Sequence, residues 1–400
     1  MQPLLPHSGD LIANRTVQNT EDPVGRSVLT VGGGLGYFDS LTVTGAHQVT
    51  FADPAALANY AIGSPLFLFR LDGFFDSVGQ LNTLTTVVSK SGSNMIVSGA
   101  VLDNRLTAGK WFASGQIVGA VAQGTKLLTV TTPIPSGSDV LLTDGAVVAN
   151  EGRDEWNRVV AQFGNGKILL QHPVFRDYSN AVLAVATPVT GVRFRNTTVL
   201  APSVGVLESM FVKYSINWDS RALTTTGVAA YANCSFHTYK DSTFHNLALN
   251  SCHDFVFVNC HFPDCHFEEC CFNCRFYNCT FGGSAQPLGS TTQCERLTFI
   301  NCKIQNSTSQ AIGLPVNDLY IDGFTGNNNA GGMYFQGDRM RLTNISSDVP
   351  VNIQIGHDVY LQNIKSPSLV LGSDLGETSG IAYNCSNVQV YNGNWTVIND

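Results

Sequence analysis

The sequence predicts an all-β chain dominated by a parallel β-solenoid with coils of about 22 residues. Three observations predict it. A turn–strand–Asn unit recurs through the second half of the chain. Between Cys260 and Phe281, cysteine and phenylalanine return every four or five residues. No long stretch carries the helical period that crossover helices would need. Glycine, at 38 of 400 residues, suits a chain with many turns.

The repeat is visible when short pieces are aligned: "GVRFRN" ending at Asn196, "HDFVFVN" at Asn259, "CERLTFIN" at Asn301, "NDLYID" at Asp322, "GDRMRLTN" at Asn344, "HDVYLQN" at Asn363 and "SNVQVYN" at Asn392. Each opens on a turn residue, continues as a short alternating apolar strand and closes on Asn or Asp. Looser copies end at Asn217, Asn233 and Asn278. Successive ladder positions are 16 to 29 residues apart, about 22 on average. That is too short for a βαβ unit, which needs about 30 residues, and suits one turn of a solenoid whose repeats contact only their neighbours. Coils stacked about 4.8 Å apart would place Asn on Asn, each passing an amide hydrogen bond along the column. The longest step, from Asn363 to Asn392, predicts a loop bulging from the last coil.

The segment "NCHFPDCHFEECCFNCRFYNCTF" (259–281) holds six of the eleven cysteines. Cys260, Cys265, Cys270, Cys274 and Cys279 keep step with Phe262, Phe267, Phe272, Phe276 and Phe281. This resembles the pentapeptide-repeat pattern, in which a small residue and a large apolar one alternate inward and four pentads close a square coil. Cysteine then serves as a small apolar filler. The rival readings are a zinc site around Cys271–Cys274 with His266, or disulfides. The five-residue beat explains Cys and Phe together, whereas a metal site explains Cys alone.

The remaining chain divides by pattern. Residues 191–400 carry the ladder. Residues 121–190 predict an inserted β-module, with a hairpin turning at Gly164-Asn165-Gly166. Residues 66–120 hold strand-like pieces read as mixed β and possible first coils. Residues 1–65 are turn-rich and read as an attachment segment, with one short helix expected over Asp53–Ala61, capped by Asp53 with Pro54 at its first position. The glycines of "VGGGLGYF" lack the Lys-Ser/Thr that completes a phosphate loop.

Composition removes whole classes of function. A net charge of -8 with 13% charged residues opposes nucleic-acid binding, which needs clustered Lys and Arg. No apolar run approaches the roughly 20 residues that cross a bilayer. The start "MQPLLPHSGDLIANRTVQ" lacks a basic region followed by an apolar core, so it does not read as a secretory signal. Unpaired cysteines are then expected.

Taken together, the turn–strand–Asn ladder resembles the right-handed parallel β-helix proteins of the phage tailspike and pectate-lyase-like superfamily. The resemblance covers residues 191–400, and 66–400 if the insert is included. It implies a virion spike that binds, and in some cases depolymerises, a bacterial surface polysaccharide. Such a spike would be a homotrimer joined to other virion proteins through its N-terminal segment. A non-enzymatic decoration or adaptor protein of a phage particle is the alternative. Depolymerases of this superfamily commonly use paired carboxylates, as glycoside hydrolases or lyases. Glu268 and Glu269 sit outward in the pentads beside His266, with Asp264 and His261 one pentad away. Asp338 and Asp358 lie just before strands. Asp254, Glu295 and Asp318 recur at that position too, where an acid also serves as a turn former. For sugar contacts, the loop "GNNNAGGMYFQGDRM" (326–340) offers Tyr334, Gln336 and Arg339. Trp218 and Trp395, each soon after a ladder Asn, are candidate stacking platforms. A calcium-dependent lyase site would want clustered Asp residues and an Arg. Asp338-Arg339 is a single pair, so neither a metal nor another cofactor is expected.

Overall fold

A computed structural model of the chain describes residues 8–17, 29–32, 34–35, 38–51, 54–59, 62–63, 65–68, 83–99, 109–112, 116–131, 133–144, 155–201, 208–213, 215–232, 234–268, 271–290, 294–374 and 376–399. The chain forms two units, one of Met1–Val31 with Thr190–Asp400, the other of Gly32–Val189.

The first unit is a parallel β-solenoid with coils of about 21 residues. One inward column follows the strand register through every rung. It runs Ile12, Phe194, Ser220, Tyr239, Phe257, Phe276, Phe299, Ile321, Leu342, Leu361, Ala382 and Val397. The strand Leu11–Val17 supplies the first rung, pairing with Arg193–Val199. The chain leaves the solenoid after its opening and returns near Thr190 to continue it.

The corners explain the asparagines. Asn14, Asn196, Asn259, Asn278, Asn301, Asn344, Asn363 and Asn384 adopt φ between 47 and 55°. Asparagine enters this left-handed region more readily than other residues with a side chain. The column is joined by amide hydrogen bonds, among them Asn363 Nδ2 to Asn344 Oδ1 at 2.9 Å and Asn384 Nδ2 to Asn363 Oδ1 at 2.8 Å. At one rung Gly323 takes the corner (φ 73°), where a Cβ would lie 2.7 Å from Asn301 Oδ1. Three ladder positions read from the sequence belong elsewhere, and Asn233 lies outside the described residues; Asp322 pairs with Ile300 and Thr343, one residue before the Gly323 corner. Asn217 is in a second left-handed column with Asp254, Asn273, Asp318, Arg339 and Asp358. The last corner of the Asn column is Asn384, whereas Asn392 follows the strand Val388–Val390 on another face. The long final step is thus an ordinary coil plus a strand, because two faces of the solenoid both carry an apolar strand that ends in Asn.

Inside, flat rings stack coil on coil. Phe276 lies 4.8 Å from Phe257 and 4.9 Å from Phe299, with planes within 13° and 10°. Phe262 stacks between Phe244 and Phe281 at 5.5 and 5.3 Å. The ten described cysteines are buried, and none is in a disulfide. Several Sγ atoms donate to the backbone of the coil before, as Cys271 does to Leu249 O at 3.1 Å. Burial pushes the thiols of Cys252, Cys265 and Cys271 well up. Cys270 lies outside the described residues.

The second unit is antiparallel. One core in it joins Val140, Leu142, Val159, Ile168, Leu170 and Leu183. The hairpin of Glu155–Phe163 and Lys167–Leu170 turns at residues 164–166, with Gly166 at φ 71°. Within residues 66–120 the described strands pair antiparallel rather than as coils. Ser91 faces Asn94 across a two-residue turn with Gly92 at φ 59°, a reversal that only a hairpin accommodates. The expected short helix is a 3-10 turn over Pro54–Asn59. No helix among the described residues is long and apolar enough to cross a membrane.

Candidate functional site

Alternation along the strands builds one outer face of the solenoid. In Cys265–Glu268, Leu288–Ser290, Ile312–Asn317, Met333–Gln336 and Val351–Gln362, residues such as Cys265, Leu288, Ile312, Met333 and Val351 point inward and are buried. The intervening outward column reads His266, Gly289, Gly313, Tyr334 and Asn352. Two successive glycines between an imidazole and a phenol ring leave a depression on that face.

Glutamines fill its rim. The cleft has a volume of about 260 Å³ and is lined by Gln286, Gln310, Gln336 and Gln354, with Tyr334 at one side and Gly313 in its floor. A Cβ on Gly313 would overlap the amide nitrogens of Gln286 and Gln310. On Gly289 it would crowd Gln286 Cδ at 3.0 Å and His266 Cε1 at 3.2 Å. The glycines therefore give the amides their space. Gln336 Nε2 donates to Gln354 Oε1 at 2.5 Å, and Gln310 Nε2 to Ile312 O at 2.8 Å. Among the described residues these are the only hydrogen bonds of the four side chains. The Gln286 amide, part of each other amide and the Tyr334 hydroxyl are left without a protein partner. No charged side chain lines the cleft among the described residues. Amides both donate and accept, and a phenol ring offers an apolar face with a polar tip. The set matches a ligand rich in hydroxyl groups.

At the N-terminal end of the same face stands a charged cluster. His266 Nε2 lies 2.6 Å from Asp264 Oδ1. That hydrogen bond raises the imidazole above its usual pKa, against the opposing effect of burial. Burial raises the Glu268 carboxyl, and His266 pulls it partly back. Phe267, beside Glu268, pairs in the next coil with Ser290, which lines the cleft. Asp264 directly precedes the strand Cys265–Glu268, so along the extended chain its backbone stands about 13 Å from that of Glu268. Paired glycosidase carboxyls need about 5–5.5 or 6.5–9.5 Å. The cluster supplies one carboxyl of raised pKa next to an ion pair.

The cleft unites Tyr334 and Gln336 and places Glu268 beside their sheet face. The other candidates lie apart. Glu269 is outside the described residues. Asp338 Oδ1 accepts the His357 backbone N–H at 2.8 Å. Asp358 is exposed in the left-handed corner at φ 56°. Arg339 holds Asp318 with two hydrogen bonds, Nε to Oδ1 at 2.6 Å and Nη2 to Oδ2 at 2.9 Å. Trp218 is 1% exposed and lies flat on His237 at 5.1 Å, so no sugar ring reaches its faces. Trp395 is half-buried, its Nε1 donating to Thr378 Oγ1 at 2.7 Å.

Comparison with known proteins adds the following. No family model matches the chain, and no curated protein matches its sequence. Among solved structures the chain is similar to the tailspike gp61 of Pseudomonas phage phi297, at 11% identity and a TM-score of 0.38, over 69% of this chain and 62% of that one. It is similar to the tailspike gp49 of Pseudomonas phage LKA1, at 14% identity and 0.33, over 99% and 72%. It is also similar to the Gp54 tailspike of Acinetobacter baumannii bacteriophage AP22, solved with a capsular saccharide of that bacterium, at 11% identity and 0.32, over 72% and 60%. The chain spans about three fifths of the first and third of these proteins. Likeness at this level assigns no activity to this chain.

Sequence reasoning missed Gln286, Gln310 and Gln354. A signal for two of them was present. "QPLG" (286–289) and "QAIG" (310–313) are one coil apart and place the same amide and glycine in register.

Proposed function

We propose that the chain is a tailspike-like virion protein that binds a polysaccharide of a bacterial surface. In this reading the solenoid is the recognition element, trimers are the working assembly, and N-terminal residues join other virion proteins. The observation that carries it is the cleft itself. Unpartnered amides and a tyrosine ring line an outward face of a long parallel sheet, on which an extended polymer can lie across successive coils. With no carboxylate pair among the described residues that line the cleft, binding is the reading and turnover is the added question.

The test is a panel of capsule and lipopolysaccharide preparations from many strains. Binding of purified protein, new reducing ends and unsaturated-sugar absorbance are followed together. Binding to one or a few strains, weakened at least tenfold by Tyr334→Ala, is the expected result. Folded protein that binds no preparation overturns the proposal.

A further inference from the structure

We propose that the cleft selects an uncharged, hydroxyl-rich sugar unit, with the polymer running along the solenoid axis. This rests on the polysaccharide reading above and narrows it. Many surface glycans carry uronic acids, phosphates or similar anionic groups, and the cleft is built against them. The side chains that line it among the described residues include no Lys or Arg, and the imidazole at its edge, His266, is held by Asp264. The N-terminal end of the same face adds the carboxyls of Asp264 and Glu268. The whole chain carries a net charge of -8. An anionic sugar would lose water here without gaining a counter-charge, which is costly.

A neutral sugar meets the opposite situation. Its hydroxyls find the unpartnered amide groups of Gln286, Gln310 and Gln354 and the phenol of Tyr334. The volume, about 260 Å³, lies below the roughly 300–1,000 Å³ of drug-sized sites and holds little more than one ring. Gln286 and Gln310 belong to adjacent coils, and Tyr334 and Gln354 to the next two. Polar contacts therefore repeat at about 4.8 Å along the axis, the direction in which the chain of sugars must lie. The glycine floor is the specificity element, because a methyl group on Gly313 displaces both neighbouring amides.

The probes are neutral oligosaccharides of hexose and N-acetylhexosamine and size-matched fragments containing hexuronic acid, prepared from capsules that the protein binds. Affinity is measured in 50 and 500 mM sodium chloride. The neutral fragments should bind at least tenfold more tightly, with less than twofold change across the salt range. Gln310→Leu and Gly313→Ala, each checked for an unchanged unfolding curve, should each weaken neutral binding by tenfold or more. Preference for the acidic fragments with steep salt dependence overturns the inference. So does unchanged affinity in both variants while capsule binding persists; the polysaccharide reading then survives and this cleft does not. Failure to bind any glycan overturns both.

Discussion

The coils from Cys234 to Cys302 and those from Ile312 to Leu371 follow the same path with different interiors. In the earlier coils the central column is Tyr239, Phe257, Phe276 and Phe299, flanked by buried cysteines and by His237 and His253. In the later coils that column becomes Ile321, Leu342 and Leu361, and the cysteine column ending at Cys294 gives way to Val316. The corners do not change. Asn259, Asn278 and Asn301 on one side of the switch, and Asn344 and Asn363 on the other, hold φ between 51 and 55°. Winding is thus a property of the corners, and the interior has only to fill the space between sheets at native density.

The largest expected effect sharpens that contrast. Phe276→Ala removes a ring stacked on both sides and should cost about 4 kcal/mol, toward the upper part of the range for such truncations. Leu342→Ala, in the aliphatic coils, should cost about 3 kcal/mol. Urea unfolding measures both, and a costlier leucine would show that ring stacking adds nothing to the earlier coils.

Acid should strike the aromatic coils first. His237 lies flat against Trp218 and Phe255, at 5.1 and 4.7 Å. Burial lowers its pKa to about 3, whereas the unfolded chain takes up the proton near 6.5. Its contribution to stability is therefore complete above pH 6.5. It falls by about 1.4 kcal/mol per pH unit below that, until the folded protein also protonates. Urea midpoints between pH 7.5 and 4.5 test this, together with the His237 ring proton shift, which should not move over that range.

Cysteine provides a smaller contrast. Cys265 is buried with no hydrogen-bond partner for its thiol among the described residues, so Cys265→Ser strands a hydroxyl and should cost about 2 kcal/mol. Cys271→Ser keeps Leu249 O as an acceptor and should cost about half as much. Equal costs would remove the backbone carbonyls from the account of why cysteine stacks here.

The smallest effect probes the corners. Asn278→Gly keeps the left-handed turn and loses one amide link to Asn259, so it should cost about 1 kcal/mol or less. Asn278→Val should cost about 2 kcal/mol or more, because a β-branched residue resists that conformation. Thermal unfolding of the pair separates conformation from hydrogen bonding.

Much of this was legible in the residues. The αL corners announced themselves as Asn, since few other side chains tolerate them, and the Cys/Phe beat announced which atoms face inward. Where two columns end alike, reading failed: Asn392 imitates the corner that Asn384 fills. The candidate site was legible only in part. Tyr334 and Gln336 stood out as a dense polar and aromatic cluster. Gln286 and Gln310 hid in short turns, where one glutamine looks like any surface residue.

The sequence alone therefore determined the winding of the chain, because corner conformation and inward alternation are local properties, repeated coil after coil. The cleft was decided only in three dimensions. Its glutamines lie in four coils of unequal length, and whether they meet depends on register, which bulges such as that between Phe335 and Gln336 shift. The floor depends on the absence of two side chains at Gly289 and Gly313, which acquires meaning only when the Gln286 amide lies over Gly289 in its own coil and, beside that of Gln310, over Gly313 in the next.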